Sequence, residues 1–319
     1  MTSYLKKYPT SFQVIVFVGL YIGCTAIYYF VLMAWAMPHL TGVTLTDLQS
    51  GDMANPYLME VMKWMQLLYT VVSFLVPAWL FFYLSDPSPL RYAGMRGRFR
   101  TSAVVLAILI LVASLPMVGV LGDWNQQIHF GSLDQSLRAL NEKAEQITRA
   151  MLVMPDGGSL VFNLILIALV PAIAEEMFFR GVIQRLLVRV TRRGWLAILV
   201  AAVIFSLLHG EMLGFFPRVA LGIVLGLIYY ISGNLWYAIA AHFVNNGFQV
   251  LLFFLFQHHY TTYDISKSEP TPLVAGILSL AVVVVLCWVF WRFRRGDGVA
   301  DVFGVVPRAA VTPEKEPNP

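Results

Sequence analysis

Apolar residues in this protein run in blocks far longer than a soluble core helix needs, with charge gathered between them. A helix covers the hydrocarbon core of a bilayer with about 20 apolar residues. Runs that reach or approach that length fall at 12–37, 64–84, 101–121, 158–174 (carried on by a charged segment to about 189), 195–209, 215–232, 235–256 and 272–291. The pattern predicts an all-α fold, a polytopic membrane helix bundle of about eight transmembrane helices. The fifth and sixth spans are short, and only Gly210 to Gly214 separates them. From Val219 to Tyr263 there is no Asp, Glu, Lys or Arg, too long a stretch for one span. It breaks at Ser232-Gly233-Asn234, a turn signal.

One segment follows a different period. In 132–151, Leu133, Leu137, Leu140, Ala144, Ile147 and Met151 recur at spacings of four and three, with charges on much of the remaining face. This predicts one amphipathic helix outside the hydrocarbon, with Ser132 and Gln135 forming a capping box. Its expected role is structural, against the bilayer or over the bundle, with a lid as the alternative. The sequence then divides into N-terminal spans and this helix (1–157), a core (158–256), a last span (257–295) and a disordered cytoplasmic tail (296–319) ending in VTPEKEPNP.

Composition sharpens the class. Of 319 residues 58% are hydrophobic and 13% charged, against about 25% charged in soluble domains. The net charge of +4 comes with no basic face or nucleic-acid motif, so no nucleic-acid partner is expected; the partner is the lipid bilayer. Lys6, Lys7, Arg91, Arg96, Arg98, Arg100, Arg185, Arg189, Arg192, Arg193, Arg292, Arg294 and Arg295 fall on one side of the alternating spans. Only Lys63, Arg138, Lys143, Arg149, Arg218 and Lys267 fall on the other. The asymmetry places both termini in the cytoplasm, and a bacterial inner membrane is the expected location. The first run is too long for a signal-peptide core and lacks a clear cleavage site. Cys24 and Cys287 read as apolar packing residues. Trp64, Trp195, Trp236 and Trp291 read as interfacial anchors, Arg218 as a snorkelling residue, and Glu211 as a solvated loop acid. His39, His129, His258 and His259 are expected in loops.

The fourth run holds the exceptional chemistry: Glu175, Glu176 and Arg180 lie in its middle. A charged group at that depth costs a few kcal/mol even on lenient scales. Glu176 and Arg180 are spaced i,i+4 and neutralise each other. Glu175 is turned by about 100° from Glu176 and has no basic residue three or four positions away, which suits it to general acid–base work. His209 and Glu175 are each about 14 residues from the expected cytoplasmic ends of their helices, roughly 20 Å deep at ~1.5 Å per residue. Asn246 lies roughly 17 Å deep by the same measure, with His242 one turn nearer the cytoplasm. Polar groups from three helices can therefore converge, in a site opening at mid-depth or in the cytoplasmic half. Phe205 is one turn from His209, where its ring can orient the imidazole.

Three blocks carry a resemblance: EExxxR as Glu175 to Arg180, FxxxH as Phe205 to His209, and HxxxN as His242 to Asn246. Together with the run 222–242 they resemble the CPBP family of intramembrane proteases, which includes CAAX prenyl endopeptidases and bacterial Abi-type proteins. The likeness covers about 160–256. It implies peptide-bond hydrolysis in the membrane on a membrane-anchored protein or peptide. Glu175 would activate the water, with His209, His242 and Asn246 around the scissile carbonyl and Glu176, Arg180 and Phe205 in support. It leaves a metallo-type route, with His209 and His242 on a divalent ion such as zinc, and a glutamate-type route with His209 and Asn246 as oxyanion donors. Two histidines and an amide make a thin zinc shell, and HExxH is absent, so the metal-free route is favoured. The rivals are a non-catalytic protein of the bacteriocin-immunity type and a proton-coupled transporter. Complete motif blocks argue against the first, and the lack of internal repeats argues against the second.

Overall fold

The computed structural model describes residues 4–44, 46–47, 55–97, 99–263 and 269–295. The described regular elements are helical: α1 (Thr10–Thr41), α2 (Pro56–Ser85), α3 (Thr101–Gln126), α4 (Asp134–Met151), α5 (Gly157–Thr191), α6 (Gly194–Leu208), α7 (Phe215–Ser232), α8 (Leu235–Gln257) and α9 (Leu273–Arg295). Among the described residues seven of these, all but α4 and α6, are long and apolar enough to cross a membrane. The molecule is a multi-pass integral membrane protein. The tail 296–319 lies outside the described residues.

The fifth expected span is α6, and it stops short. Its 15 residues extend about 22 Å, less than the ~30 Å hydrocarbon core. The cause is local: Gly210 takes φ +74° directly after His209, ending the helix in a turn. The backbone then passes through the turn Met212–Gly214 into α7. Asn125, fully buried at the end of α3, clamps this turn, donating to the Met212 carbonyl at 3.0 Å and accepting from Phe216 N–H at 2.8 Å.

With α6 counted, helix direction alternates, so the start of α1 and the end of α9 share one face, called here the terminal face. On it Lys6 pairs with Asp86 at 2.5 Å, and Arg185 stacks 3.9 Å over the Tyr92 ring. Gly233, at φ +63°, ends α7, and Asn234 caps α8 through its Oδ1, which accepts from Trp236 N–H, so the expected turn forms there. The core joins Phe17 of α1, Phe81 and Phe82 of α2, Ile110 of α3, Phe178 and Phe179 of α5, Phe205 of α6 and Tyr229 of α7. Large apolar residues such as Phe30, Leu109, Val274 and Leu278 face outward, as lipid permits. Close approach of α6 and α7 depends on a small residue: a Cβ on Gly222 would lie 2.9 Å from Ala202 Cβ.

Several local expectations change. Ser132 does not cap α4; it falls in a tight turn, Gly131–Leu133, and Leu133 precedes the helix without capping it. Gly131, at φ +60°, begins that turn, and Asp134 takes over the stabilising role, accepting from Phe130 N–H and from Arg138 Nε at 2.8 Å. The Arg138 hydrogen bond holds the Asp134 carboxyl below the usual range. Leu137, Ala144, Ile147 and Met151 are half-buried while Leu133 and Leu140 stay exposed, so only part of the apolar stripe is covered. His39 is in the last turn of α1 rather than a loop. Cys24 is buried, Cys287 half-buried, and both are free.

Candidate active site

Glu175, His209, His242 and Asn246 come from α5, the end of α6 and α8, and all four line one cavity of about 300 Å³. Arg218 of α7 and Gln249 of α8 complete its polar wall. The two adjacent glutamates part company here. Glu176 is fully enclosed, and its Oε1 accepts from Arg180 Nη1 at 2.8 Å and meets His242 Nδ1 at 2.9 Å. Arg180, also buried, donates from Nη2 to the Gly222 carbonyl at 3.1 Å and lies 5.0 Å from the Phe205 ring centroid. Neither Glu176 nor Arg180 lines the cavity. Glu175 does, with its side chain 14% exposed, and among the described residues no lysine or arginine pairs with it.

His242 stands between the two acids. Nδ1 bonds Glu176, and Nε2 lies 3.9 Å from Glu175 Oε2, beyond direct hydrogen bonding. An ionised Glu176, held by Arg180, requires the proton on Nδ1 and turns the Nε2 lone pair toward the cavity. His209 is fixed similarly: Nδ1 is 2.7 Å from the Phe205 carbonyl, and its ring lies 4.6 Å from the Phe205 centroid. The expected i,i+4 packing is present. Phe205 thus touches both His209 and Arg180, one ring supporting two polar groups.

Asn246 donates from Nδ2 to the Ile167 carbonyl of α5 at 3.3 Å. The neighbouring Asn245 donates from Nδ2 to Asn246 Oδ1 at 3.0 Å, which sets the amide with its nitrogen toward α5. Asn245 and Gln249 line the cavity and were missed, because an isolated amide in an apolar helix carries no signal until its neighbours are known.

Arg218, expected to snorkel, lies instead in the cavity wall, its side chain 17% exposed, bonded to Glu211. Glu211 sits on the loop between α6 and α7 with its side chain 40% exposed, the solvated loop acid expected, and is an ion-pair partner as well. The turn that ends α6 brings the two together. The cavity lining extends from Glu175 past Arg218 and Gln249, toward the face opposite the termini. Among the described residues no group of three or more His, Cys, Asp or Glu is placed to hold a metal ion. Arg180 and His242 Nδ1 take up Glu176, and the Phe205 carbonyl takes up His209 Nδ1, so the groups left to hold an ion would be Nε2 of His209 and His242 with the Glu175 carboxylate.

Residues 157–248, from the start of α5 to the middle of α8, match the family described as type II CAAX prenyl endopeptidase Rce1-like. Neither the curated proteins nor the solved structures compared with this sequence give a match. The matched segment contains Glu175, Glu176, Arg180, Phe205, His209, His242 and Asn246. Over this segment, which holds the whole candidate site, the protein is similar to the CAAX prenyl endopeptidase family of membrane proteases.

Proposed function

We propose that the protein is an intramembrane endopeptidase hydrolysing peptide bonds of membrane-anchored proteins or peptides, with Glu175 as the general base. The separation of the two glutamates supports this most: Glu176 is consumed by Arg180 and His242, while Glu175 faces the cavity without a counter-ion. Glu175 Oε2 and His242 Nε2, both acceptors and 3.9 Å apart, are spaced to share one water. That water loses a proton to Glu175 as its oxygen bonds to the scissile carbon. Asn246 keeps one amide N–H beyond the bond to Ile167, and this N–H faces the developing oxyanion. His209, with Nδ1 occupied, presents Nε2; as an imidazolium it donates to the oxyanion or to the departing nitrogen. The C–N bond then breaks, and the proton held by Glu175 passes to the amine. No step requires a metal.

The Lys and Arg asymmetry supports an orientation with both termini cytoplasmic. The cavity then opens toward the outer half of the bilayer.

The test is cleavage of candidate membrane peptides by the purified protein in lipid nanodiscs, read by mass spectrometry, with and without a chelator. Cleavage is expected in both arms, and Asn246→Ala should retain a measurable residue after a fall of about 10²–10³ in rate. A folded protein that cuts nothing would refute the protease reading. Activity lost on chelation and restored by zinc would refute the metal-free route alone.

A further inference from the structure

Arg218 carries a cation into the wall of the cavity that holds Glu175, His209, His242 and Asn246. We infer that it anchors a carboxylate of the substrate. The inference rests on the protease reading of the same cavity, and deepens it by naming a chemical feature of the substrate.

The guanidinium is placed there by construction. A Cβ on Gly214 would lie 2.5 Å from Arg218 Nη2, so glycine at that position leaves the room in which the arginine folds back over the start of α7. Its Nη1 donates to the Glu211 backbone carbonyl at 3.2 Å, a contact that persists whatever the Glu211 carboxylate does. The partners in the ion pair are unequally buried: the Arg218 side chain is 17% exposed and that of Glu211 40%. The cation is thus the fixed, inward member, and the carboxylate reaches it from the rim. A half-exposed ion pair is weakly held, so an incoming carboxylate can replace it.

The other buried cation of the site cannot do this. Arg180 spends its donors on Glu176 and the Gly222 carbonyl and does not line the cavity. Arg218 has five N–H donors in a fork that suits a carboxylate, and its bonds to Glu211 involve two of its nitrogens. Arg218 and Glu175 line the same cavity, so a carboxylate on Arg218 and the bond presented to Glu175 can belong to one bound peptide. Either the free C-terminus of a substrate or one of its Asp or Glu residues supplies this group.

Binding of fluorescent apolar peptides separates these sources without requiring turnover. Glu175→Gln protein in nanodiscs is titrated with a peptide ending in a free carboxylate, its C-terminal amide, and the amide carrying an Asp near the end. The free acid should bind about tenfold to a hundredfold more tightly than the plain amide. Arg218→Gln should erase that difference and Arg218→Lys recover part of it, while Glu211→Gln should tighten binding by removing the competitor. Tight binding of the Asp peptide identifies an internal acidic residue as the source, and its absence identifies a C-terminus. Equal affinity for acid and plain amide overturns the inference. So does a uniform weakening of every peptide by both Arg218→Gln and Glu211→Gln, the mark of a purely structural pair. Peptides bound through Arg218 but never cut by the wild type would instead refute the protease reading and leave the carboxylate site standing.

Discussion

Glu175→Gln will leave a folded protein that has lost its peptidase activity. A positioned general base contributes about 10²–10⁴ in rate, and the amide that replaces it cannot take the proton of the attacking water. The structure gives the reason to expect an unchanged fold. Glu175 faces the cavity, its contact with His242 is 3.9 Å and not a hydrogen bond, and the direct partner of the buried Arg180 is Glu176. Turnover and thermal unfolding measured on the same preparation decide the matter. Turnover within a few-fold of wild type would show that another group activates the water.

Arg180→Ala will act in the opposite way, on stability first. Its guanidinium is the counter-ion of Glu176, a carboxylate with no exposed surface whose second oxygen, Oε2, has no hydrogen-bond partner among the described residues. Removing one member of a buried pair costs about 3–5 kcal/mol, because the other charge is left in a low-dielectric interior. The same change takes away the cation over the Phe205 ring and the bond to Gly222 that ties α5 to α7. His242 bonds the same Glu176 oxygen through Nδ1, so displacement of that carboxylate would move the imidazole and activity should fall as well. The double variant Arg180→Met with Glu176→Gln should recover a large part of the lost stability, since it removes both charges and keeps an acceptor for His242. A double variant no more stable than Arg180→Ala would show that the loss comes from packing around Phe205 and not from the stranded carboxylate.

The two variants separate residues that stand side by side in the sequence, and that separation was legible in part. The i,i+4 spacing of Glu176 and Arg180 is enough to pair them, and the pair forms at 2.8 Å. Spacing could not show that Glu176 Oε1 also meets His242 from α8, because that contact joins residues 66 positions apart. Nor could it reveal that α6 ends at His209 within the bundle, since an apolar run of that length fits a short span equally well. Gly210 was the available signal. The failed capping box at Ser132 has the same origin: a tight turn started by a glycine at positive φ shifts the helix start by two residues.

By itself the sequence determined the membrane class, the all-helical fold and the block of residues proposed to carry the chemistry. Hydrocarbon admits only backbones that satisfy their own hydrogen bonds, so long apolar runs have essentially one solution. Charges inside such runs are costly enough to mark themselves. The tertiary structure decided which groups share a cavity and which stand behind it. Glu175 faces the open space while Glu176 lies in the wall, Asn246 meets the Ile167 carbonyl, and Arg218 turns inward over Gly214 against Glu211. Those outcomes depend on how far each helix extends and how closely its neighbours approach. Residue volumes on several helices set both at once, and no single segment of the sequence holds that information.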